Sequence, residues 1–174
     1  MDFTYIFIAA AVTIMMSFLL KASRKKPKID EDGNRILRLP ILYPIIGGIA
    51  VIFGLGLFIF LCIILPAEDI MFAFIVPLIA LGLGVPLLLV SLVSKIKITS
   101  EGIEQTTMFG KQKIILWTDI KSITFGKVSL ELKIKDENQK IKVHMHMVGF
   151  PDFISEIENK TGYSKKQMGL EGVM

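Results

Sequence analysis

The chain has 174 residues, room for one ordinary domain, but 52% of them are hydrophobic and the mean hydropathy is +0.61, which excludes an ordinary soluble protein. The net charge of +4 is unevenly spread: residues 21–40 hold seven Lys or Arg against three acids, whereas residues 94–174 hold thirteen Lys against ten acids, too close to balance for a nucleic-acid binder. A lone cysteine, Cys62, excludes an intramolecular disulfide.

The first apolar run, FTYIFIAAAVTIMMSFLL at 3–20, is just long enough to cross about 30 Å of hydrocarbon. A cleaved signal peptide carries its positive charge before the apolar run and a small-residue site after it. Here Asp2 precedes the run and Lys21, Arg24, Lys25, Lys26 and Lys28 follow it, so it reads as an uncleaved anchor with its N-terminus outside. Residues 21–40 are then a basic cytoplasmic loop by the positive-inside rule. The same five bases are candidates for contact with anionic headgroups, worth about 1 kcal/mol each near the surface, in addition to setting topology.

Two longer runs follow, at 41–65 and 70–93, with no Lys, Arg, Asp, Glu or His inside either. Joined by Pro66, Ala67, Glu68 and Asp69, they read as a transmembrane hairpin whose short acidic loop is external. Ala50 and Gly54 form a small-xxx-small pair, as do Ala80 and Gly84, a spacing that lets helix backbones approach where lipid gives no hydrophobic drive. Gly54 and Ala80 lie equally far from residue 67, as do Ala50 and Gly84, so each pair falls at matching depth. The competing reading is that small residues are simply common in membrane helices. Pro44, Pro77 and Pro86 are expected to kink the helices. Residues 1–93 thus form the transmembrane region.

From Lys95 the period becomes two. KIKIT, GIEQTTM, KQKIILW, IKSITF, SLELKIKD and IKVHMHM read as six half-buried antiparallel strands joined by short turns, a small sandwich or partly closed barrel. Phe150, Phe153, Ile154 and Ile157 then recur at helical spacing, with Pro151 in the first turn and Gly162 as the stop. Residues 162–174 show no period and read as a disordered tail.

The stretch KITSEGIEQTTMFGKQKIILWTDIKSITF, with SLELKIKD, QKIKVHMHM and FPDFISEIENK after it, resembles the bacterial PH-domain group of small membrane proteins. Gly102, Gly110, Trp117, Asp119, Ile120 and Ile123 carry the resemblance, which covers roughly residues 95–161. It implies a PH-like barrel of seven strands with a C-terminal capping helix, following membrane helices. It does not bring phosphoinositide binding with it, because the loop that would be basic is here Ser100, Glu101 and Gly102.

His144 and His146 have a spacing able to hold a metal ion, but they fall on the polar side with Lys142 and lack a third ligand, so exposed strand residues are expected. Trp117 reads as a core aromatic, against the alternative of an anchor at headgroup level, and Asp119 as a turn residue. The alternating lysines at 95, 97, 111, 113, 133, 135, 140 and 142 read as a solvated face that protects sheet edges, part of it close to lipid. No nucleophile–base pair, phosphate loop or buried carboxylate pair is visible, and the apolar helices lack charged groups, so neither an enzyme nor an ion transporter is expected. No cofactor or metal is expected.

The sequence therefore predicts an α+β membrane protein: three transmembrane helices, then a cytoplasmic PH-like antiparallel β-barrel or sandwich at 94–161 with a capping helix, in a bacterial cytoplasmic (inner) membrane. The function expected is that of an anchored recognition or scaffold protein. Its expected partners are the bilayer, anionic headgroups, a protein and a second copy of the chain; nucleic acid is not among them. The alternative is an accessory subunit of a membrane complex, in export or self-immunity to membrane-active peptides, acting through the hairpin.

Overall fold

The structure, a computed structural model, describes residues 3–66 and 70–172. Asp2 and the loop residues Ala67, Glu68 and Asp69, on which the expected topology partly rests, lie outside the described residues. The chain divides into two compact units, one of residues 1–40, 95–106 and 111–174, the other of residues 41–94 and 107–110.

The second unit is built on α2 (Leu42–Ile64) and α3 (Ile70–Val93). Among the described residues these supply the two helices long and apolar enough to cross a membrane, Leu42–Ile64 with 23 residues and Phe74–Val93 with 20. Ile49, Ile52, Phe53, Ile63, Leu78 and Leu83 are all exposed, an apolar surface compatible with helices that cross a membrane. Pro44 lies in the first turn of α2, where its missing N–H has no helical acceptor to lose, so the expected kink there is not required. Pro77 and Pro86 lie inside α3.

Among the described residues the first unit holds α1 (Phe3–Ser23), eight strands and α4 (Phe150–Thr161). The apolar stretch of α1 among the described residues is Thr13–Ser23. The strands are β1 (Lys28–Ile29), β2 (Arg35–Leu37), β3 (Lys95–Ile98), β4 (Gly102–Thr106), β5 (Gln112–Leu116), β6 (Ser122–Gly126), β7 (Glu131–Lys135) and β8 (Lys140–His144). They form a five-stranded sheet in the order β1-β2-β3-β4-β5 and a three-stranded sheet β6-β7-β8, antiparallel throughout.

Alternation buries one side of β3, β7 and β8. Ile96, Ile98, Ile103 and Ile115 from one sheet and Ile123, Leu132, Ile134, Ile141 and Val143 from the other form a single core. The helical stripe Phe150, Phe153, Ile154 and Ile157 is the buried face of α4, which begins with Pro151 in its first turn and ends at Gly162 with φ +75°.

Two expectations need correction. Residues 21–40 are not simply a basic loop: β2 pairs with β3 across the whole length of the hairpin, Ile36 opposite Lys97 and Leu37 opposite Ile96, and Leu37 is fully buried in the core. The first sheet thus draws on chain from both sides of α2 and α3. Nor is the segment after α4 a structureless tail. It folds back so that Met168 and Leu170 are buried, with Phe125 N–H donating to Met168 C=O at 2.8 Å and the Tyr163 hydroxyl to Lys121 C=O at 3.1 Å.

Candidate functional site

The hairpin seam is the tightest of the sites singled out by sequence. A Cβ on Gly54 would meet the Ala80 Cβ at 3.3 Å, and one on Gly84 would meet the Ala50 Cβ at 2.9 Å, so the structure brings together the two depth-matched pairs. A third contact was missed: a Cβ on Gly47 would meet the Leu88 backbone N at 2.9 Å and the Gly84 carbonyl at 3.2 Å. The signal was present, since Gly47, Ala50 and Gly54 follow the i, i+3, i+7 spacing of one helix face.

Lys21, Arg24, Lys25, Lys26 and Lys28 are all exposed. Lys26 borders a cleft of about 430 Å³ that also takes in Pro27, Arg35, Asp152 and Glu156. Arg35 Nη1 lies 3.1 Å from Glu156 Oε2, so the cleft balances its charges and is not an anion site. Of the acids in this segment, Asp30 serves the fold. Asp30 Oδ1 accepts the Asn34 N–H at 2.7 Å and the Asp32 N–H at 3.1 Å, closing the β1–β2 turn, and Asp30 Oδ2 meets Lys97 Nζ at 2.9 Å. That Lys97 bond holds the Asp30 carboxyl below its ordinary value and raises the Lys97 ammonium.

The two sheets meet where β4 and β5 approach β8, through side chains instead of a ladder. The Gln105 amide accepts from Lys142 N–H at 3.4 Å and donates to Lys142 C=O at 3.0 Å, while Gln139 donates to Ile114 C=O at 3.2 Å and Lys113 to Lys140 C=O at 3.1 Å. These bonds occupy edge groups that would otherwise invite another strand.

The histidines differ from expectation. The alternation in IKVHMHM predicts a strand through Met147, but the chain leaves the ladder after His144 and turns, with Met147 N–H donating to His144 C=O at 3.0 Å. His146 is therefore carried inward and is only 3% exposed. Its backbone N–H donates to His144 Nδ1 at 3.2 Å, and the rings lie 4.9 Å apart. Burial lowers the pKa of both imidazoles; Glu131 opposes this at His144, and His144 adds to it at His146. Among the described residues no group of three His, Cys, Asp or Glu is placed to hold a metal ion.

Trp117 is half-buried against the core, its indole N–H donating to Thr99 C=O at 3.2 Å. Asp119 is exposed in a 3-10 turn, Trp117–Asp119, where its carboxylate accepts from the Thr118 hydroxyl.

The sequence places a turn at Phe109, Gly110 and Lys111, between β4 and β5, without giving it a role. Thr107–Gly110 closes on a Gly110 N–H to Thr107 C=O bond of 2.9 Å, with Gly110 at φ +75°, and displays Phe109 at 73% exposure. Comparison of the chain with known protein families, curated proteins and solved structures finds no match.

Proposed function

We infer that this chain is a non-enzymatic recognition or scaffold protein of a bacterial cytoplasmic membrane. Three apolar helices, α1 and the α2–α3 hairpin, anchor a PH-like domain on the cytoplasmic side, with the N-terminus outside. The domain binds a protein partner or the adjacent leaflet.

The observation that carries this reading is the pairing of β2 with β3. A strand before the hairpin and a strand after it share one sheet, which requires both ends of the hairpin to emerge on one face of the membrane. Two crossings satisfy that; one or three do not. The PH-like part of the reading rests on the resemblance, which implies seven strands and a capping helix; two antiparallel sheets of five and three strands followed by α4 are compatible with it. The excess of bases in 21–40 favours the cytoplasmic face.

The test is crosslinking in native membranes followed by identification of what is captured, comparing Lys133→Glu and Lys142→Glu with the hairpin variant Gly84→Leu. The reading expects a partner or lipid that the β-domain variants lose and the hairpin variant keeps. The reverse order would shift the working surface to the hairpin and overturn it.

A further inference from the structure

We propose that the β4–β5 turn, Thr107–Gly110, is a second membrane anchor that places Phe109 at the boundary between headgroups and acyl chains of the leaflet from which the hairpin emerges. The proposal rests on α2 and α3 crossing that membrane. β3 starts at Lys95, two residues after α3 ends at Val93, and β4 runs back antiparallel until Thr106 lies opposite Lys95. The chain has then returned to the level of the end of α3, and the four residues that follow form one compact unit with the hairpin.

At that level the apex of the turn is aromatic. Phe109 is 73% exposed, and leaving such a side chain in water forgoes roughly 1.5–3 kcal/mol available from burying it. Lys111, two residues on, is exposed, and Ile114 and Leu116 extend the apolar surface along β5. An aromatic tip with lysine at its base matches the layering of a bilayer surface, ring toward the acyl chains and ammonium among anionic headgroups. A protein partner fits less well, because a stable interface covers about 800 Å² on each side and a single four-residue turn offers far less.

The experiment uses the full-length protein in vesicles of phosphatidylglycerol and phosphatidylcholine, with and without acyl-chain bromine. Trp117→Phe removes the native indole, and Phe109→Trp reports from the turn. Leu92→Trp in the same background reports from the last turn of α3. The proposal expects the residue-109 indole to emit at short wavelength and to lose most of its emission to the brominated lipid, as the residue-92 indole does. Quenching at 92 but not at 109 overturns the proposal and leaves the spanning hairpin intact. Blue-shifted emission at 109 without quenching means that protein covers the turn, which also overturns it. No quenching at either position removes both the anchor and the hairpin reading. Should Trp117→Phe unfold the domain, Phe109→Cys in a Cys62→Ala background, carrying a nitroxide, reads the same depth from its accessibility to oxygen against a water-soluble nickel chelate. Greater access to the chelate is the overturning result there.

Discussion

Gly84 sets how closely α2 and α3 approach, because its Cα faces Ala50, the Val51 backbone and the Gly47 carbonyl within contact range of any added Cβ. Gly82, two residues away, has open space at the same point. Gly84→Leu should therefore destabilise the hairpin by about 1–3 kcal/mol, the usual cost of overpacking, while Gly82→Leu should be nearly neutral. Thermal unfolding in detergent of the two variants side by side checks this, and equal effects would contradict the seam. The histidine pair gives a second residue-scale prediction. Both imidazoles titrate below their ordinary value of 6.5 in the folded domain because burial disfavours their charged forms. As pH falls below 6.5 the unfolded chain takes up protons that the folded one resists, so stability is full above that value and declines in acid. Melting curves from neutral to about pH 5 should show the decline, and His146→Gln should flatten it.

Among the elements, β2 is the one whose removal should surprise a reader of the sequence alone. Leu37 lies in a charged stretch, yet it is as buried as Ile96, its partner on β3. Leu37→Ala should cost about 2–5 kcal/mol, within the range for a core leucine, and Leu170→Ala in the closing segment a similar amount. Denaturant titration of the intact protein decides both; a change near zero would mean that these segments do not belong to the core. The hairpin, the strands from Lys95 to His144 and the stripe of α4 were legible because each repeats a period set by its own backbone. β2 was not, since three residues are too few to show a period. Its only signal was Asp32-Gly33 ahead of Arg35-Ile36-Leu37, a turn pair that favours a hairpin. His146 misled for the opposite reason: the alternation continues past the point where the ladder stops, and the turn that stops it is held by distant groups, Gly149 N–H to Ser23 C=O at 2.9 Å and Val148 N–H to Arg38 C=O at 2.8 Å. Met168 and Leu170 had no period to reveal them, only their apolarity in a polar tail. Of the candidate sites, the glycine seam was readable because depth follows from counting along two helices. The Phe109 turn was readable as a turn but not as a site, because its meaning depends on where β4 brings the chain.

For the whole molecule, the architecture amounts to an apolar helical hairpin inserted between two neighbouring strands of one sheet. With the hairpin spanning a membrane as proposed, the insertion would couple topology to folding: β2 would find β3 only if both reached the same side, and a misrouted hairpin would leave Leu39 and Leu37 without the core they complete. The most direct test places cysteines at Ile36 and Lys97, Cα partners in the β2–β3 ladder, in a Cys62→Ala background with a protease site between α2 and α3. Facing strand positions lie about 4.5–5.5 Å apart, within disulfide range. The account predicts that both cysteines react with an impermeant maleimide from the same membrane face. It also predicts that mild oxidation links them, so that the cut chain stays in one piece until reduced. Labelling from opposite faces, or two fragments after oxidation, would contradict it.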